Sequence, residues 1–294
     1  VDRRTIALTL FLSALAGGAE AQSFIPDARA GGKLLLTGGV STVEGSGGGG
    51  IATWATVTGY GEEDGIGANA HATLVDLPDY QFRTAGVAVG LWDRVELSAA
   101  RQEFDTGDTG ALLGLGQGFT FTQNVIGLKV RLTGDAVYDQ DTWTPQIAVG
   151  VQHKMNDQDA IISAVGGKDD QGTEFYVAAT KLFLAQSVLV SGTVRYTNAN
   201  QTGLLGFGGD ANDDREAQFE GSVGWLLSRN LVVGAEYRTK PDNLSFATED
   251  DWFDVYAAWA VNKHLSVTAA WADLGSIATF DDQRGLYLSL QAGF

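Results

Sequence analysis

Cysteine is absent from the 294 residues. That removes disulfides, thiolate metal ligands, cysteine nucleophiles and lipid attachment through an N-terminal Cys. Histidine occurs three times, so imidazole chemistry has few carriers. Positive charge is also short: 19 Lys and Arg stand against 36 Asp and Glu, for a formal charge of −17. Nucleic-acid binding needs cations that neutralise phosphates, and it is set aside. Proline is scarce at 4. Beyond the first stretch, no run approaches the ~20 apolar residues of a membrane helix.

What is present points to β structure. Glycine is abundant at 39, and 7 Trp, 8 Tyr and 14 Phe accompany a hydrophobic fraction of 44%, enough for a folded chain rich in strand-favouring residues. The opening stretch "VDRRTIALTLFLSALAGGAEAQS" has a positive region at Arg3 and Arg4, an apolar one over residues 5–16 and a small-residue site at Ala19-Glu20-Ala21. It predicts a secretory signal peptide over residues 1–21, cleaved before Gln22, and one folded domain over 22–294. A membrane anchor would need a longer apolar run. Residues 22–32 are expected either to plug the interior of that domain or to hang free in the periplasm.

Alternation with period two runs through the rest of the chain. "GLYLSLQAGF" sets Leu286, Leu288, Leu290, Ala292 and Phe294 on one face and Tyr287, Ser289, Gln291 and Gly293 on the other. "NLVVGAEYRTKP", "DWFDVYAAWAVN" and "HLSVTAAWADLG" repeat the pattern, with one continuously apolar face and one small or polar face. Tight turns at 91–94, 183–186, 227–230 and 260–263 alternate with long polar loops. This asymmetry and the strand lengths predict an all-β, transmembrane, up-and-down antiparallel barrel. Counting back from the end gives about fourteen strands within a range of twelve to sixteen, the first two near 33–41 and 52–60. "DAIISAVGGKDD" is assigned to an outer loop, with a short helix as an option.

The last strand, ending in an aromatic, resembles the assembly signal of Gram-negative outer-membrane proteins. "GAEYRTKPDNLSF", "DVYAAWAVNKHLSVTAAWADLGSIA" and "DQRGLYLSLQAGF" are similar to the proteobacterial family known as domain of unknown function 3034. "GANAHATLVDLPDY" and "DRVELSAARQEFDTG" extend the likeness over most of the chain. The resemblance implies the barrel fold and the outer membrane as its compartment. It implies no activity.

Inward faces are expected to collect Arg83, Glu96, Lys129, Arg131, Arg195, Glu220, Glu236, Arg238 and Asp254. These either line a polar passage and set its selectivity or pair across the interior as a structural plug. Small inward residues such as Gly150, Ala178, Ser191, Ser222, Gly234 and Ala258 argue for an open or loop-plugged space. Trp225, Tyr237, Trp259, Trp271 and Phe294 suit aromatic girdles at the lipid interface. A carbohydrate platform would instead use Trp54 or Trp252.

Other motifs carry less. The run "EGSGGGG" at 44–50 lacks the Lys-Ser/Thr of a phosphate loop and is assigned to a flexible outer loop, and "GGKDD" at 166–170 fails the same test. Asp210, Asn212 and Asp214 have calcium-loop spacing, but Arg215 and Gly221 occupy positions that require Gly and Glu. His71, His153 and His264 show no triad spacing, and His153 with Asp157 and Asp159 is assigned to the polar rim. The expected protein is a non-enzymatic barrel without cofactor or metal. It would meet outer-membrane lipids, the barrel-assembly machinery and a small polar solute that it passes through a narrow channel. The alternative is a non-conducting barrel with a structural, adhesive or export role.

Overall fold

The structure is a computed structural model that describes residues 33–38 and 40–294. The expected signal peptide at 1–21 and the segment 22–32 lie outside the described residues. Twelve antiparallel strands close into one barrel: β1 (Ile66–Asp76), β2 (Gln81–Leu91), β3 (Val95–Asp105), β4 (Thr120–Thr133), β5 (Gln146–Asn156), β6 (Gln171–Phe183), β7 (Val188–Thr197), β8 (Glu216–Ser228), β9 (Leu231–Arg238), β10 (Trp252–Ala260), β11 (Leu265–Asp273) and β12 (Arg284–Gly293). Each pairs with its sequence neighbours, and β12 returns to β1 with Ala292 opposite Ala70. Closure leaves no unpaired edge, the condition for crossing lipid with strands.

The count is twelve, not fourteen. The strands expected near 33–41 and 52–60 are instead parts of one segment that runs inside the barrel. Its bridges, Ser41 with Gly47 and Gly48 with Thr53, join it to itself and not to the wall. Glycine at 45 and 47–50 removes the side chains that would have distinguished a wall strand from an interior one. The helix suggested in "DAIISAVGGKDD" forms over Asp159–Ala164 in the β5–β6 loop.

The exterior has the profile of a membrane protein. Val87, Leu97, Ile126, Val177, Val190, Val223, Val255 and Leu288 are exposed around the wall, an apolar band that water would not tolerate at this size. Aromatics edge it on both sides. Trp225, Trp259 and Phe294 are exposed at the end carrying the short turns, with Trp92 and Trp143. Tyr237 and Trp271 are exposed at the opposite, loop-bearing end, with Phe175, Tyr196, Phe219 and Phe253. Two girdles of this kind fix the barrel at both interfaces.

At the loop end of β2–β4 the polarity of the wall inverts. Phe82, Phe104 and Phe121 face inward, while Arg83, Arg101 and Glu103 face outward. Arg83 is therefore not a lumen residue; it is exposed and lies opposite Glu103 across β2 and β3. Here the strands have passed beyond the apolar band, so a charged outer face costs nothing.

Candidate functional site

The barrel interior is occupied by residues 40–58, which are buried at every position. The small inward side chains of the wall make this room. Gly90 shows how close the approach is: a Cβ there would overlap the Thr58 carbonyl. Segment 44–50 is thus an interior plug and not the outer loop expected from its glycines. Without side chains, its backbone can lie directly against wall groups.

The wall holds that backbone with side chains. Glu96 accepts from the N–H groups of Gly47 (2.9 Å) and Thr58 (2.8 Å). Glu236 accepts from Gly50 (2.6 Å) and Ile51 (2.9 Å), and Glu220 from Thr53 (2.7 Å). Lys129 donates to the carbonyls of Gly47 and Thr56, both at 2.9 Å, and to Glu96 at 3.1 Å. Gln291, Gln102, Thr84, Thr193, Thr180 and Gln146 meet Ser41, Val43, Thr53 and Ala55. A plug without its own secondary structure must satisfy its amides and carbonyls somewhere, and here polar wall side chains do so.

At the centre the plug supplies one charge. Glu44 reaches Lys154 at 2.5 Å, Arg238 at 2.9 Å and Arg195 at 3.6 Å. Lys154 also meets Glu174 at 2.7 Å, and Arg195 meets Glu220 at 2.6 Å and Glu174 at 3.3 Å. The result is a network of three carboxylates and three cations, zero in net charge, with every side chain at most 4% exposed. Burial alone would raise the Glu44 carboxyl, but Arg238, Lys154 and Arg195 together outweigh it and hold it well below its ordinary 4.5.

Of the residues expected to line the lumen, Glu96, Lys129, Arg195, Glu220, Glu236, Arg238 and Asp254 face inward and are buried. Arg131 lies at the turn end, bonded to Asp93, to Asp135 at 3.3 Å and to the Gly134 carbonyl at 2.8 Å. Glu44, Lys154 and Glu174 escaped the sequence reading. Lys154 and Glu174 belong to the ends of β5 and β6, and carrying the alternation two residues further along β5 would have placed Lys154 beside Gln152 on the inner face. Glu44 offered no signal, since its partners are 110 to 194 residues away.

The two ends of the lumen differ. A cavity of about 460 Å³ at the turn end is lined by Lys33, Glu62, Asp64, Asp93, Arg131 and Asp135 among others. At the loop end a smaller apolar cavity of about 100 Å³ lies above the loop around Thr202, whose carbonyl takes a hydrogen bond from Lys154 at 2.9 Å. The filled centre separates them.

The remaining candidates are dispersed. His153 is on the outer face of β5 against Thr173 (2.9 Å), His264 bonds the Gly293 carbonyl (2.9 Å) and stacks on Phe294, and His71 is buried in β1. Asp210 is engaged by Ser245. Among the described residues, no group of three or more His, Asp or Glu is arranged to hold a metal. Trp54 is buried with Leu182 and Leu189 inside the barrel, and Trp252 lines the apolar cavity.

Residues 37–291, which include the plug and almost all of β12, match the family described as "Protein of unknown function (DUF3034)". The chain belongs to the DUF3034 family. No curated protein matches it. Among solved structures, this DUF3034 barrel is similar to the KdgM porin, with 8% identity, 78% of this chain and 99% of that chain covered, and a TM-score of 0.48. The NanC porin gives 9%, 77%, 98% and 0.48. Outer membrane phospholipase A from Escherichia coli gives 11%, 81%, 93% and 0.41. At such identities and scores, neither a solute nor a chemistry carries over to this chain.

Proposed function

We propose that this DUF3034 barrel is an outer-membrane channel for a small polar or charged solute, held closed by its own residues 40–58. One observation carries the reading: the plug is bound to the wall mainly through polar and charged side chains that touch its backbone. An inner face of this kind is compatible with water once the segment leaves, as a channel lining must be. Glu96, Lys129, Arg195, Glu220 and Arg238 would then set ionic selectivity. The role is non-enzymatic, and the lipid-facing girdles suit a protein set in the outer membrane.

A second reading, a non-conducting envelope barrel, is favoured by the charge balance of the central network, which would make the plug permanent. Planar-bilayer recording separates the two. The full chain is expected to be silent or to open rarely, and Gly49→Val, whose side chain would collide with the Glu236 carboxylate, is expected to open steadily. A folded Gly49→Val barrel with a demonstrably displaced plug and no conductance would leave the non-conducting role.

A further inference from the structure

We infer that the apolar cavity at the loop end is a binding site for a small, neutral, ring-sized molecule carrying one hydrogen-bond acceptor, of the phenol class. This goes beyond the channel reading and holds whether or not the plug moves.

The cavity lies where the wall has left the lipid, with Tyr80, Phe82, Phe104, Phe121 and Trp252 as its aromatic sides and Leu204 and Leu205 beneath it. Its volume is about 100 Å³. An apolar void of about 150 Å³ in another protein takes up benzene; at about two-thirds of that volume and with an apolar lining of the same kind, this cavity fits one ring and nothing larger. Loops from five parts of the chain, around residues 113, 161, 204, 246 and 277, line it. Tyr80 and Phe104, with centroids 4.9 Å apart, present ring faces and edges of the kind that hold an aromatic guest.

The polar groups in the lining narrow the ligand further. Tyr80 donates to the Ile277 carbonyl at 3.2 Å, Thr106 to the Phe119 carbonyl at 2.8 Å, and Gln201 to the Ser276 carbonyl at 3.1 Å while accepting from Lys240 at 3.0 Å. The indole N–H of Trp252 is buried and, among the described residues, has no hydrogen-bond partner. An unsatisfied buried donor is costly and native proteins rarely leave one. An oxygen on the ligand would satisfy it. A charged group is excluded, because none of the described lining residues carries a charge to meet it.

The test is methyl-detected NMR of the full chain in lipid nanodiscs, titrated with phenol and, separately, with benzene. Expected are saturable shifts at the methyls of Ile161, Leu204, Leu205 and Ile277 with both probes, while the lipid-facing Leu286 and Leu288 report partition into the bilayer. Leu113→Trp, at the half-buried rim, should abolish the saturable shifts, and Val165→Trp fills the cavity from another loop should the first variant not refold. Trp252→Phe should weaken phenol by roughly three- to tenfold more than it changes benzene, the net worth of one hydrogen bond, since both probes feel the altered wall alike. Shifts that stay linear, or that survive filling, would overturn the site. Equal loss of both probes in Trp252→Phe would overturn the acceptor.

Discussion

Replacing Glu44 by Gln removes one negative charge from the centre of a neutral network while preserving shape. Lys154 keeps Glu174 at 2.7 Å and the Thr202 carbonyl at 2.9 Å, and Arg195 keeps Glu220 at 2.6 Å. Arg238 is left worst placed, with Glu220 at 3.8 Å and the Ile51 carbonyl at 3.3 Å. Breaking a buried ion pair from one side costs about 3–5 kcal/mol. Since Gln can still accept from Arg238, the low end applies, about 3 kcal/mol, which at 1.4 kcal/mol per decade raises the population with a released plug roughly 100-fold. The chain contains no cysteine, so Ser46→Cys, in the buried plug, introduces a single thiol. Its rate of modification by a soluble maleimide reads plug release directly. The Glu44→Gln background should accelerate it by about two orders of magnitude, with the heat-modifiable mobility of the barrel unchanged. An acceleration below about threefold, about 0.7 kcal/mol, in a folded barrel would refute the reasoning.

The remaining expectations concern pH, packing and the membrane band. Because the closed barrel holds the Glu44 carboxyl below its ordinary 4.5, its contribution to closure is complete above that pH and is lost as the pH falls through the lower closed-state value; the thiolate fraction falls equally in both chains, so the ratio of the Glu44→Gln labelling rate to that of the Glu44 chain, taken at the same pH, should shrink on acidification below about pH 4.5. Gly49→Val should push the Glu236 carboxylate from the Gly50 and Ile51 amides and accelerate the same labelling at least tenfold, taking about 1.5 kcal/mol per charged hydrogen bond. Val223→Arg, on the lipid-facing side of β8, should cost about 2–4 kcal/mol in urea unfolding from vesicles. Arg83→Ala, beyond the apolar band, should stay within about 0.5 kcal/mol.

The walls were legible in the sequence and the contents of the lumen were not. Strands β1–β12 each carry the period-two signature over 8 to 14 residues, because one side meets lipid and the other meets the polar interior. Segment 40–58 has no continuous lipid-facing side: glycine interrupts it at 45 and 47–50, and only 52–60 alternates enough to read as a strand. Its contacts are with side chains far along the chain, as between Ser41 and Gln291, 250 residues apart, and its glycines give no periodicity. Arg83 failed for a different reason. Reading charge as inward assumes lipid outside, and at the loop end of β2 the outside is water. Small inward residues did announce free interior space, but sequence alone does not say what fills it.

The most direct test of closure by the plug is a reversible lock. Ser41 and Asn69 touch through their side chains at 2.9 Å, so Ser41→Cys with Asn69→Cys would tether plug to wall in a chain otherwise free of thiols. In the Glu44→Gln background, single-channel recording should show no openings while the disulfide is intact and steady openings once it is reduced. Conductance that is the same in both states would contradict the claim that residues 40–58 close the lumen.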